Sequence, residues 1–214
     1  ASMISGNGMA QVYLKYGDDW DRRPTYQEIC DGLVSGGDLI EELVQQEAVD
    51  LVAVRDGTGG VVVCSRSGRA EILEQDEAIH YHAIDGDPFG YEPLVPRMTT
   101  DESLEATFDT DYPDAPFQLL RLMHSPRCGD IIISARKGYD LRYLYEHPEH
   151  HASHGSLHRD HMHVPLLINT EIHRPYIRTV DVFSSMLEAM GHTPQGMIEG
   201  RSFVTPTYTQ GVNA

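Results

Sequence analysis

Residues 50–84, DLVAVRDGTGGVVVCSRSGRAEILEQDEAIHYHAI, restrict the fold more than any other stretch of this chain. Short β-branched runs are separated by Asp56-Gly57, Gly59-Gly60 and Ser67-Gly68. Such pairs reverse the backbone tightly, because glycine and aspartate accept the angles that hairpin turns require. The stretch predicts a meander of antiparallel strands.

Helical spacing brackets the meander. Thr25 to Cys30 and Leu39 to Val49 carry apolar residues at helical intervals, with acidic residues near the front, and predict two helices. The segment from Asp85 to Pro116 is rich in Pro, Asp and Thr and predicts loop, with one short helix after Thr99 or Thr100. Asp114 is placed to cap a helix through Phe117, Leu119, Leu120, Leu122 and Met123, which must stop before Pro126.

Gly129-Asp130 then turns into Ile131-Ile132-Ile133, an apolar run of the kind buried on both faces in α/β sheets. Val164 to Ile168 predicts a second buried strand beside residues 131–135. Thr179 is placed to cap a last helix with Val182, Phe183, Met186, Leu187 and Met190 on one face, closed by Gly191 and packed on the sheet. The fold class expected is α/β: a sheet flanked by helices, with the meander at 50–84. At 214 residues and 40% apolar content, one domain is the default. There is no internal repeat. The opening ASMISGNGMAQVYL enters a turn and a strand-like run with almost no preamble, as expected of a chain cut from a longer one.

Charge narrows the partners. Thirty-three acidic residues face sixteen basic ones, a net charge of −17 that repels nucleic acid and anionic membrane. An anionic substrate would need a local cation. No run of about 18 apolar residues and no basic-then-apolar leader occurs, so the given chain reads as soluble with no membrane segment. Cys30, Cys64 and Cys128 have no paired spacing and read as buried, small apolar residues.

The most unusual feature is HPEHHASHGSLHRDHMHVP, residues 147–165, which holds seven of the twelve histidines. Imidazole is a common zinc ligand. His147, His150 and His151 lie in a polar, proline-punctuated stretch and read as solvated. His161 and His163 stand two apart before an expected strand, where they would share a face and serve as hydrogen-bonding groups rather than ligands. His158 with Arg159 and Asp160 can begin a helical turn. His154 differs, because the following Gly155 lets backbone approach closely and fixes the position of a potential ligand. No carboxylate stands near it at ligand spacing, so any co-ligands are distant in sequence or absent from this chain.

Taken in order, SHGSLHRDHMHVPLLIN, RTVDVFSSMLEAMG and IEGRS resemble the C-terminal end of the alkaline phosphatase superfamily. The closest likeness is to its type I phosphodiesterase and nucleotide pyrophosphatase branch. SGNGMAQVYL and SARKGYDL fit the segments that precede the His-Gly turn there, whereas the meander is less diagnostic. The resemblance implies that residues 1–214 are the C-terminal portion of one alkaline phosphatase-like α/β domain. It implies a site with two divalent metals, zinc in the first instance and manganese as an alternative, and a Ser or Thr nucleophile that takes up the phosphoryl or nucleotidyl group.

On that resemblance His154 matches the last metal ligand, and Ser153, His161 and His163 are placed to support it. The nucleophile and the Asp-His-Gly element fall before this chain begins, and no Asp-His-Gly occurs in the 214 residues. No catalytic residue is therefore assigned here. Ala152 also departs, where relatives often carry Gly. The implied partners are a phosphate- or phosphodiester-containing small molecule and the remaining N-terminal part of the same domain. The readings held against this are a non-catalytic binding or interaction module of the same fold and an independent histidine-rich metal-binding protein. A serine or cysteine hydrolase has little support, since no Gly-x-Ser-x-Gly is present.

Overall fold

The protein is described from a computed structural model covering residues 2–5, 7–32, 37–142, 155–192 and 196–205. It divides into two compact units, Ala1–Val164 and Pro165–Ala214.

The first unit is built on β1 (Ser2–Ser5), β2 (Met9–Val12), β3 (Val49–Arg55), β4 (Val61–Ser65), β5 (Gly68–Gln75), β6 (Ala78–Ile84), β7 (Arg97–Thr99) and β8 (Ile131–Ala135). They form one sheet in the order β1-β2-β8-β3-β4-β5-β6-β7, and every neighbouring pair is antiparallel. The meander is β3 to β6, where it was expected. Asp56 shapes its first turn by accepting from the amides of Thr58 (2.7 Å) and Gly60 (2.8 Å). One reversal carries no sequence signal: Asp76 and Glu77 turn β5 into β6 with φ of 51° and 56° and no glycine.

The sheet is apolar on both sides because helices cover both. Leu51, Ala53 and Ile132 join Leu119, Leu120 and Met123 of α4 (Ala115–His124) in one core. Val52, Val54, Ile131 and Ile133 join Ile29 of α1 (Tyr26–Cys30) and Ile40 and Val44 of α2 (Leu39–Val44) in the other. Side chains alternate across a strand, so an unbroken apolar run feeds both cores at once. The mixed α/β class thus holds, with an antiparallel sheet.

Several helix boundaries differ from expectation. Thr25 and Glu28 form a capping box at α1, and Thr99 and Glu102 do so at α3 (Thr100–Thr107). Asp38 caps α2, but that helix ends at Val44, because β3 begins at Val49 and needs the intervening residues to turn. Asp114 stands at the start of α4 without capping it. It is left-handed (φ 58°), its amide donates to the Thr107 hydroxyl at 2.8 Å, and its carboxylate accepts from Gln118 instead.

The second unit contains α6 (Thr179–Ala189). Arg178, not Thr179, occupies the N-cap position, and Gly191 (φ 72°) follows the helix end. Its buried residues are Asp181, Ser184 and Ser185, while Phe183, Met186 and Met190 are exposed, which reverses the expected inward face. Hydrogen bonding explains the reversal. Asp181 accepts from the amides of Arg178 (2.9 Å) and Arg201 (2.8 Å), Ser185 accepts from the Phe203 amide (3.0 Å), and Ser184 donates to the Gly200 carbonyl (2.6 Å). A Cβ on Gly200 would overlap the Val180 carbonyl. The Thr-Val-Asp and Gly-Arg-Ser elements are thus the two halves of one polar lock.

The expected strand at 164–168 does not form. Val164, Leu166, Leu167 and Ile168 are exposed, with Leu167 at 94%, and the segment has no ladder partner among the described residues. An apolar run does not by itself make a strand, which also needs a partner for its backbone.

Candidate functional site: the turn after His154

His154 and Ser153 lie outside the described residues, as do His147, His150, His151 and Ala152. The description begins at Gly155, and the backbone from there to His163 is fixed by side chains rather than by a ladder.

Three anchors hold the turn. The Ser156 amide donates to His161 Nδ1 at 3.0 Å, and the Ser156 hydroxyl lies at the same distance from that nitrogen. The Leu157 amide donates to the Ser134 hydroxyl of β8 at 3.2 Å, and Leu157 packs on the core beneath α4. Two glycines make the third. A Cβ on Gly8, in the β1–β2 turn, would stand 2.5 Å from the Gly155 carbonyl carbon, and one on Gly155 would strike the His161 ring. Because Nδ1 accepts from an amide, the His161 ring proton is assigned to Nε2.

His161 comes from α5 (Arg159–Met162), a single helical turn. His158 caps it, its Nδ1 accepting from the Asp160 amide at 3.2 Å. The loop after α3 holds α5 from the other side: the Arg159 amide donates to the Asp111 carbonyl (2.7 Å), and its guanidinium donates to that of Asp109 (2.8 Å). Lys137 pairs with Asp160, whose carboxyl is held below its ordinary range chiefly by that lysine. His163 stacks on Phe108, ring centres 4.7 Å apart. His161 and His163 therefore do not share a strand face. One grips the turn and the other packs on the loop.

Beyond His158 lies a carboxylate that sequence reading missed. Asp50, half-buried in β3, accepts from the Tyr112 hydroxyl at 2.7 Å. Burial raises its pKa, against the opposing effects of Tyr112, Arg136 and His158. No spacing in the sequence ties Asp50 to residue 112 or 158. Ser134 was more legible, as the one hydroxyl in the run Ile131–Ala135, where a buried polar group must find a partner.

Among the described residues no three His, Cys, Asp or Glu side chains gather to hold a metal. The Nδ1 atoms of His158 and His161 already accept backbone amides. The cysteines offer no alternative: burial pushes the Cys64 thiol up to about 11 and raises Cys30 and Cys128 too, which disfavours the thiolate a metal or nucleophilic role needs.

Comparisons with family models, curated proteins and solved structures each found no match. Among the described residues, no helix is long and apolar enough to cross a membrane.

Proposed function

We propose that this chain is the C-terminal portion of a metal-dependent phosphoric ester hydrolase of the alkaline phosphatase type, acting on a phosphate- or phosphodiester-containing small molecule. Its contribution to chemistry is one metal-ligating imidazole, His154. The observation that supports this best is the fixed turn at Gly155 and Ser156, held to β8 by Ser134 and against Gly8 in an otherwise apolar sheet. A metal ligand needs such a backbone, because ligand geometry tolerates only small errors. The lock between Asp181 and the Gly200–Arg201 loop adds support, since it gives the Thr-Val-Asp and Gly-Arg-Ser resemblance a physical reason to occur together.

Two zinc ions, or manganese in their place, would polarise the phosphoryl oxygens and activate the nucleophile when bound. The residues of this chain would place one ligand, supply part of the sheet beneath the site and exclude water from its base. On the resemblance, this chain supplies one metal ligand and no nucleophile, so by itself it is expected to be inactive.

The test is a histidine-to-alanine series in the full-length protein, with hydrolysis of nitrophenyl phosphate mono- and diesters and bound zinc measured together. His154→Ala should lower both by at least about 10- to 100-fold, the range typical of groups that merely support a ligand. His147→Ala, His150→Ala and His151→Ala should leave both unchanged. Equal losses at His150 and His154 would refute the assignment. Zinc- or manganese-dependent turnover by the 214-residue chain alone, abolished by His154→Ala, would show a complete site within it.

A further inference from the structure

β3 leaves regular strand geometry at the one acidic residue it contains. Val49 pairs with Ala135 and Leu51 with Ser134, so Asp50 is the extra residue of a β-bulge. The strand changes face there: Val49 feeds the core of α1 and α2, whereas Leu51, two residues on, feeds that of α4. In a regular strand the two would share a face. Bulges recur beside functional sites because they re-aim a side chain. Here the re-aimed carboxylate meets the Tyr112 hydroxyl at 2.7 Å.

Tyr112 is held rigidly. Its ring packs on Phe89, centres 5.6 Å apart, its carbonyl accepts from the Tyr91 hydroxyl, and its amide donates to the Thr110 hydroxyl. The His158 ring stands edge-on to it, centres 6.1 Å apart. Because His158 Nδ1 accepts the Asp160 amide, the ring proton is assigned to Nε2, which bonds to no described residue. Arg136, directly after β8, also keeps its guanidinium free of hydrogen bonds and ion pairs among the described residues. Burial raises the pKa of Asp50, and Tyr112, Arg136 and His158 act against it, so all three lie within electrostatic reach of the carboxylate. Asp111 adds a second negative charge, while Lys137 is taken by Asp160. Asp50, Tyr112, His158 and Arg136 are each only partly buried, so the group is open to solvent.

Tyr112 rather than Arg136 takes Asp50, which leaves a carboxylate and a guanidinium near each other and not joined. A ligand carrying both charges would bridge them. An anion alone would meet Asp50, Asp111 and a chain of net charge −17, and a cation alone would leave Arg136 and the His158 Nε2–H unused. A zwitterion has no net charge to be repelled. We propose that this group binds a free α-amino acid: the ligand carboxylate accepts from Arg136 and from His158 Nε2–H, and its ammonium donates to Asp50, which Tyr112 holds in place. The site uses no metal and does not depend on the reading of His154.

The probe is L-alanine, titrated by NMR into the 214-residue chain. It is compared with propionate, which lacks the ammonium, with ethylamine, which lacks the carboxylate, and with inorganic phosphate. Alanine should shift the His158 and Tyr112 ring resonances and bind at least about tenfold more tightly than the other three, since each of them leaves a charged group unpaired. Asp50→Asn keeps an acceptor for Tyr112 but removes the charge. It should weaken alanine about tenfold or more while leaving propionate unchanged or improved, which a loss of structure would not do. Arg136→Gln should weaken alanine to a similar extent and leave ethylamine unchanged.

Equal affinity for alanine and propionate overturns the proposal. Tighter binding of phosphate also overturns it, because that would mark an anion site. So does the absence of any shift at His158 with alanine in large excess. Should Asp50→Asn not fold, Arg136→Gln decides, because that side chain bonds nothing among the described residues: unchanged alanine affinity there overturns the assignment.

Discussion

Helices α4 and α6 look alike in sequence and behave in opposite ways. FQLLRLM and VFSSMLEAM both space apolar side chains for one helical face. In α4 that face is inward: Phe117, Leu119, Leu120 and Met123 are buried, with Leu120 at 1% exposure. In α6 the inward residues are Asp181, Ser184 and Ser185, while Phe183, Met186 and Met190 face solvent. The first helix is held by the removal of apolar surface from water, which is non-directional. The second is held by directional bonds to the Arg201 and Phe203 amides and the Gly200 carbonyl. Apolar periodicity marks a candidate face for burial, but hydrogen-bonding partners decide which face a small unit buries.

The contrast predicts a graded set of losses. Leu120→Ala should be the most damaging, at about 2–5 kcal/mol of unfolding free energy by urea titration, because it removes buried methyl groups and leaves a cavity. A loss under about 1 kcal/mol would mean that the α4 core is loosely packed. Asp181→Ala should cost less, about 1–3 kcal/mol, since it orphans the buried amides it served. Its signature is faster hydrogen exchange at Arg201, and unchanged exchange there would contradict the lock. Met186→Ala should change stability by no more than about 0.5 kcal/mol, as exposed substitutions do. A larger loss would show that the outer face of α6 is covered in solution.

The same contrast explains what the sequence disclosed. The meander was legible because its turns carry glycine and its strands are β-branched, both local signals. The reversal at Asp76 and Glu77 was not, since two acidic residues in left-handed geometry leave no local trace. Leu39 to Val49 ran too long as a helix because periodicity does not mark where a chain must turn into the next strand. At the site, the cluster drew attention to the correct neighbourhood but not to its wiring. His158 was read as starting a helical turn, and it does. His161 was read as a hydrogen-bonding group, and it is one, but its partner could not be named, because that partner is a backbone amide, a group every residue except proline possesses and no sequence pattern advertises. Asp50 and Tyr112 meet through strand placement alone.

The position of β8 in the sheet sets a schedule for assembly. β2 and β3 do not pair with each other; each pairs with β8, whose first residue, Ile131, comes 76 residues after Arg55 ends β3. Until that strand arrives, the first hairpin has no sheet to join, although the meander can already close through its short turns. Joining it then means closing a long loop, an entropic cost that short hairpins avoid. The β1–β2 hairpin therefore joins β8 late, and the Gly8 turn can meet Gly155 only once most of the first unit has been made.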